Sequence, residues 1–177
     1  YIIIGAGSAG CVLANRLTED GKTTVLLLEA GPEDRLYLLH IPAAFMKLLD
    51  DRRVNWVYHT EPHAATGNRS ILFPRGKVLG GSSSINGLLY VRGQREDFDN
   101  WAQMGNRGWS YDEVLPYFRR SEDRIGGTED GTYRARGGPL AVSDFAGHHP
   151  LTHSFIKAGE QAGLPFNPDY NGALQEG

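Results

Sequence analysis

Apolar and polar positions change period repeatedly along this chain, and the changes mark its elements. Ile2-Ile3-Ile4 is a β-branched run without a polar residue, the pattern of a strand buried on both faces. Ala9, Val12, Leu13 and Leu17 then recur at helical intervals, with Asn15, Arg16, Glu19 and Asp20 on the other side. Asp20-Gly21 is a turn signal, and Val25 to Leu28 make a second apolar strand. Leu36 to Leu49 is apolar but irregular and is interrupted by Pro42; it predicts a covering segment with a short helix over 43–49, followed by a charged turn at 50–53. Val54 to Glu61 is β-branched and aromatic, Thr66 to Arg69 reads as a turn, and Ser70 to Phe73 as a partner strand, so a hairpin is expected.

Farther on, Gln94 to Met104 predicts a helix with Phe98, Trp101 and Ala102 on one face and Gly105 as its stop. Ser110-Tyr111-Asp112-Glu113 is a capping box opening another helix, which Pro116 is expected to kink or break. The aromatics of this region read as core. Arg124 to Gly138, rich in glycine and charge, is expected to be loop, and Pro139 to Ser143 a strand. Leu151 to Ala162 predicts a helix ended by Gly163, with Pro165 beyond.

Candidate chemistry begins at the first strand–helix junction. Gly5, Gly7 and Gly10 stand in G-x-G-x-x-G spacing, and Glu29 closes the second strand nineteen residues after Gly10. In a dinucleotide site the first glycine turns the strand sharply into the helix. The second lets a pyrophosphate approach the backbone, and the third lets helix and strand pack closely. Free N–H groups at the helix start face the phosphates, and an acid at position 29 accepts hydrogen bonds from ribose hydroxyls and repels a 2′-phosphate. Strand, helix, second strand and acid all fall where such a site needs them. This motif alone does not separate FAD from NAD.

Composition narrows the alternatives. The 177 residues suffice for a core; 40% hydrophobic and 22% charged residues are ordinary for a globular protein. A net charge of −3 argues against a nucleic-acid partner. The single cysteine, Cys11, cannot form an internal disulfide, fits a reducing compartment and reads as a small packed hydrophobe. His40, His59, His63, His148, His149 and His153 lack supporting ligand spacing, so no metal site is expected and these histidines read as solvated or capping. The chain opens at Tyr1 inside a strand, and a piece of a longer chain is expected.

A second glycine-rich stretch runs from Pro74 to Gly87, its small-residue loop preceded by Val78 and Leu79 and followed by Ile85 and Leu88 to Val91. Buried flanks would pin it as a rigid concavity of N–H groups and hydroxyls suited to phosphate; Arg75 and Lys77 read as solvated charges. A simple nicotinamide enzyme needs only the first loop, whereas two such loops suit a longer, enclosed nucleotide such as FAD.

Gly5-Ala6-Gly7-Ser8-Ala9-Gly10, Leu28-Glu29-Ala30-Gly31 and Gly76 to Gly87 resemble the glucose–methanol–choline (GMC) flavoprotein oxidoreductases. Arg75 to Trp101 is similar to that family's first signature. The similarity runs through Gly108-Trp109-Ser110-Tyr111 and Leu115-Pro116-Tyr117-Phe118 to Asn171-Gly172 and Gln175-Glu176-Gly177, and looks most like the choline and aliphatic alcohol dehydrogenase branch. The resemblance implies an α/β fold: a Rossmann-like βαβ FAD-binding domain, incomplete here, over 1–123, then a connecting loop and the start of an α+β substrate domain over 124–177.

It also implies the cofactor, FAD, and its neighbours. Ser8 and Ala9 would reach the pyrophosphate, with Gly5, Gly7 and Gly10 behind them. Glu29, beside Ala30, would reach the adenosine ribose. Gly80, Gly81 and Ser82, after Val78, would line the phosphate and ribityl region, and Asn86, Gly87 and Leu88 would lie near the isoalloxazine. Trp56, from its own surroundings in the sequence, reads as a core aromatic, with a cofactor contact as the alternative. Some members bind flavin covalently through a histidine where this chain has Ile85, so a dissociable flavin is expected. The implied reaction is oxidation of a choline-like or primary alcohol to the aldehyde, with oxygen or a quinone as electron acceptor. The family's catalytic His–His or His–Asn pair matches nothing here, so no catalytic residue is assigned and the segment by itself is expected to be inactive, to expose apolar sheet faces and to need its C-terminal remainder. A cytoplasmic location, or peripheral membrane association through the acceptor, is the corresponding expectation. An NAD-dependent dehydrogenase and a non-catalytic nucleotide-binding module are the alternatives.

Overall fold

A computed structural model describes residues 1–127 and 131–176. Residues 128–130 of the expected loop, and Gly177, lie outside the described residues. The chain forms two compact units, Tyr1–Leu89 and Tyr90–Gly177. The boundary expected at 123/124 refers to domains of a longer protein and is a different division. No helix among the described residues is long and apolar enough to cross a membrane.

The first unit opens with the expected βαβ turn. Strand β1 (Ile2–Ile4) pairs in parallel with β2 (Leu26–Leu28), Ile3 opposite Leu27, and helix α1 (Ser8–Thr18) lies between them in sequence and packs on β1. β1 is not buried on both faces as its composition suggested. Ile3, on the helix side, is 9% exposed, while Ile2 and Ile4 are 68% and 87% exposed. Strand alternation sends neighbouring side chains to opposite faces, and among the described residues only the α1 side of β1 is covered. Val12 and Leu13 of α1 are likewise exposed, and so is Cys11, which is not packed as expected.

The covering segment is two 3₁₀ helices, Tyr37–His40 and Pro42–Leu48. Pro42 opens the second of them rather than interrupting it, because a first-turn N–H has no intrahelical partner to lose. This segment supplies Leu48 to a core with Val54, Val78 and Ile85, and Leu36, Leu38 and Leu39 pack on the outside of that cluster. The hairpin forms as β3 (Tyr58–His59) against β4 (Leu72–Phe73), antiparallel but shorter than expected. Val57, at φ 54°, interrupts the first strand, and Asn55 pairs with Gly76 through an isolated bridge.

The second unit begins with α2 (Arg95–Gln103) and α3 (Tyr111–Ser121), which pack together through Phe98, Tyr111 and Val114. Phe98 meets Phe118 edge-on at 5.6 Å. Trp101, expected on the core face, is 46% exposed and stands edge-on to the half-exposed Trp109. The capping box at Ser110 forms: its backbone N–H and hydroxyl both donate to Glu113, at 3.1 and 2.6 Å. Those bonds, the hydroxyl's first, hold the Glu113 carboxyl below its ordinary pKa. Pro116 does not break α3, which continues to Ser121. The ring removes the single bond to the Asp112 carbonyl, and the cap below it and the packed face of Tyr111 and Val114 hold the turn.

Strand β5 (Glu122–Ile125) runs into the expected loop, taking in its first two residues, Arg124 and Ile125, and pairs in parallel with the expected strand β6 (Leu140–Ser143). Its sequence, Glu-Asp-Arg-Ile, has no apolar alternation because its inward residues are charged. Glu122 is fully buried between Arg92 (2.8 Å) and Arg134 (2.6 Å), each 3% exposed at the side chain, and also accepts from the Ala135 N–H. Arg124 reaches Asp144 at 2.6 Å. Helix α4 (Pro150–Gln161) follows, capped by the His149 imidazole accepting from the Leu151 N–H, and Gly163 ends it at φ 93°. The segment after it returns to Arg92: the Asn171 side chain accepts from the Arg92 N–H and donates to the Tyr90 carbonyl, and Gln175 donates to the Arg92 carbonyl.

Two outcomes follow for the full-length protein. Glu122→Ala leaves two buried guanidinium groups without their common partner and lowers unfolding free energy by about 3–5 kcal/mol, read by chemical denaturation. Ser110→Ala lowers the denaturation midpoint near neutral pH. Because the folded pKa of Glu113 is depressed, the cap's contribution is complete above the ordinary carboxylate range, and the penalty shrinks as pH falls through the lowered value.

Candidate functional site

The first glycine turn and the second glycine loop of the first unit lie in contact. Gly5, at φ 97°, turns β1 toward α1 while its N–H donates to the Leu28 carbonyl at 2.7 Å. The helix then starts immediately at Ser8, against the turn: a Cβ on Gly10 would fall 1.9 Å from the Gly5 carbonyl oxygen. No side chain caps this helix start and no acid stands in its first turn, so its positive end faces outward with Ser8 and Ala9 exposed.

The second loop forms one 3₁₀ turn, Gly81–Ser84. The Gly80 N–H donates to the Ala6 carbonyl at 2.8 Å, and Leu79 N–H to the Pro32 carbonyl at 2.9 Å. Gly81 sits at φ 58° and a Cβ there would lie 2.8 Å from the Gly7 Cα. A Cβ on Gly31 would lie 2.1 Å from the Lys77 backbone. The two loops therefore meet backbone to backbone, and the crease along Gly7 and Gly81 has no side chain in it.

Glu29 braces this crease from beneath. One carboxylate oxygen accepts from the Ala6 N–H at 2.8 Å and the other from the Gly31 N–H at 2.9 Å. The acid read as a ribose acceptor is thus also the tie between the first turn and the exit of β2. A carboxylate has about four acceptor sites, so capacity for a ligand remains. Ala30 is exposed beside it.

The serines divide. Ser83 and Ser84 donate their hydroxyls back to the Gly80 and Leu79 carbonyls, at 2.6 and 2.8 Å, and brace the turn rather than face a ligand. Exposed Ser82 accepts from the Gly76 N–H at 3.1 Å. Val78 does not line the crease: it is fully enclosed in the leucine core, together with Ile85, and anchors the loop from below. The other expected pins are exposed, Leu79 at 41% and Leu88 at 60%, because the core reaches only the inward residue at each end of the turn. The Asn86 side chain accepts from the Leu88 N–H at 2.9 Å, holding exposed Leu88 at φ 59°, and Gly87 is exposed next to it.

Trp56 is neither fully core nor isolated. It is 39% exposed, stacks on Tyr58 at 5.8 Å, and carries the Lys77 ammonium over its ring at 4.6 Å. Arg75 lies over Phe73 at 3.8 Å. Both cations, read as solvated, are engaged with rings. Sequence reasoning missed Asn55, which is 2% exposed and hydrogen-bonded on both sides of its amide. The available signal was a lone amide in an apolar run, Val54-Asn55-Trp56-Val57.

A family model described as GMC oxidoreductase matches residues 1–177. An oxygen-dependent choline dehydrogenase of Sinorhizobium fredii is 52% identical over 177 residues, covering all of this chain and 32% of the relative. A mitochondrial choline dehydrogenase of Homo sapiens is 50% identical over 186 residues, covering all of this chain and 31% of the relative. Among solved structures, pyridoxine 4-oxidase from Mesorbium loti superposes with a TM-score of 0.84 at 42% identity over 93% of this chain and 32% of the other. Formate oxidase of Aspergillus oryzae gives 0.84 at 31% identity over 97% of this chain and 32% of the other. The chain spans about a third of the length of these relatives.

The contact between the loops makes a steric prediction. Gly81→Ala places a methyl against the Gly7 backbone and forces φ 58° on a residue that disfavours it, so the full-length protein melts at lower temperature. Gly147→Ala, with no atom within 4 Å of its added carbon, leaves the melting temperature unchanged. Equal melting temperatures for the two variants would contradict the close approach.

Proposed function

The chain belongs to the GMC oxidoreductase family, and from that membership we propose that it supplies the nucleotide-holding part of an FAD-dependent alcohol oxidoreductase acting on a choline-like or other primary alcohol. The observation that carries the proposal is the crease itself. An uncapped helix start and a second N–H-bearing turn meet at Gly7 and Gly81, with a separation that a single Cβ would close. An anion at such a place is favoured by the helix dipole and by the N–H groups of the uncapped helix start. A diphosphate is long enough to lie against both turns, and the absence of side chains leaves it room.

The residues are assigned accordingly. Ser8, Ala9 and the Gly80–Ser82 turn hold the diphosphate. Glu29 accepts from the adenosine ribose with the lone pairs that Ala6 and Gly31 leave open. Trp56 and the Asn86–Leu88 segment lie toward the flavin. When bound, FAD supplies the hydride acceptor for an alcohol carbon whose hydroxyl proton goes to an enzyme base. This chain's part is to bind and orient: the neutral, side-chain-free crease fixes the nucleotide, and the acid at position 29 disfavours a 2′-phosphate. The base is assigned to the part of the protein beyond these residues, and the electron acceptor is oxygen or a quinone. At the position where some family members carry a flavin-linking histidine, this chain has Ile85, 3% exposed in the core, which supports a non-covalent cofactor.

The test uses the full-length protein. It is expected to purify with the visible absorption of oxidised flavin, to be bleached by choline or a primary alcohol without oxygen, and to release the flavin into the supernatant on acid precipitation. A colourless protein that binds no added FAD overturns the reading. Flavin retained on the precipitated protein overturns the non-covalent assignment alone.

A further inference from the structure

We infer that Asn55 is the positioning residue of the nucleotide crease, acting through the second glycine loop; the inference rests on the FAD reading above. Asn55 is 2% exposed in the core of the first unit. A buried amide is costly unless its hydrogen bonds are made, and this one makes four. Its Nδ2 donates to the Leu48 and Leu49 carbonyls at 3.0 and 2.9 Å, and its Oδ1 accepts from the Val57 and Arg75 N–H groups at 2.9 and 3.0 Å. The orientation of the amide is forced, since a flip would set oxygen against two carbonyls and NH₂ against two N–H groups.

These bonds join three segments: the end of the Pro42–Leu48 3₁₀ helix, the chain at Val57, and the chain at Arg75. The bond to Val57 holds a β-branched residue at φ 54°, a conformation it resists. The bond to Arg75 is reinforced on either side, by Trp56 N–H to the Arg75 carbonyl (2.9 Å) and Lys77 N–H to the Val54 carbonyl (2.7 Å). From Arg75 the path to the crease is one residue long. The Gly76 N–H donates to Ser82, and Gly76 is so close to Gly81 that an added Cβ would lie 2.1 Å from the Gly81 carbonyl oxygen. Gly81 in turn faces Gly7. The position of the Asn55 amide therefore sets the spacing of the two turns.

Packing alone does not do this. Val54, next to Asn55 and 1% exposed, belongs to the same core without any directional bond from its side chain. That contrast separates positioning from general stability. Asn55→Asp keeps the shape and the acceptor side of the residue, but turns a carboxylate toward two carbonyls. In the full-length protein, FAD binding to the Asn55→Asp apoprotein is expected to weaken about tenfold or more, the worth of one to two hydrogen bonds. The ³¹P resonances of the bound diphosphate are expected to shift.

Val54→Ala lowers the melting temperature, yet should leave the dissociation constant within about twofold of wild type and the ³¹P resonances in place, because it removes packing and no directed bond. If Asn55→Asp does not fold, Asn55→Ala is measured instead, and weakening beyond that of Val54→Ala supports the inference. Wild-type affinity and ³¹P shifts in the Asn55 variant, or an equal loss in Val54→Ala, overturn it. A wild-type protein without FAD affinity overturns the cofactor reading first, so the two failures are distinct.

Discussion

Everything at the candidate site depends on two stretches of backbone approaching until no side chain fits between them. Gly7 and Gly81 stand where a Cβ on the second would be 2.8 Å from the Cα of the first. Close contact of this kind leaves N–H groups and a helix dipole as the chemistry of the crease. It also leaves the arrangement without side-chain contacts of its own, so the surroundings must supply the rigidity. Glu29 does so for the first turn, tying Ala6 to Gly31. The leucine core does so for the second, enclosing Val78 and Ile85 at its two ends. Asn55 connects the core to the loop through Arg75 and Gly76.

Both units solve the same physical problem at different scales. A buried polar group lowers stability unless every strong bonding position is used. In the first unit a neutral amide is satisfied by four backbone groups. In the second, Glu122 lies between two arginines, and Arg134 also reaches Asp169 at 3.0 Å. Such centres are directional, so they define the register of the segments they join, whereas the aliphatic and aromatic clusters beside them supply the burial free energy.

What was legible in the sequence follows from this division. The βαβ unit, the capping box at Ser110, the helix starting near Pro150 and the meeting of the two glycine loops rest on local spacing or on residues with one conformational use. They are found where their patterns place them. The polar centres were not legible, because their partners are distant: Asn55 meets Arg75 twenty residues on, and Glu122 meets Arg92 thirty residues back. The second half of β5, Arg124-Ile125, was read as loop for that reason, its inward residue being charged. Pro116 was read as kinking or breaking the helix because a proline rule sees the lost bond and not the cap and packed face that hold the helix around it. The flanks of the second loop were half legible: Val78 and Ile85 are core, while Leu79 and Leu88 are exposed although equally apolar, since hydrophobicity does not state which side of a turn faces inward.

The measurement that bears most directly on the account is a crystal structure of the full-length protein with FAD. One diphosphate is expected to accept hydrogen bonds from backbone N–H groups of both turns, Gly7–Ala9 on one side and Ser82 on the other, the Gly80 and Gly81 N–H groups being bonded to the Ala6 and Val78 carbonyls. A diphosphate held by one turn alone, or lying away from the Gly7–Gly81 contact, would contradict it.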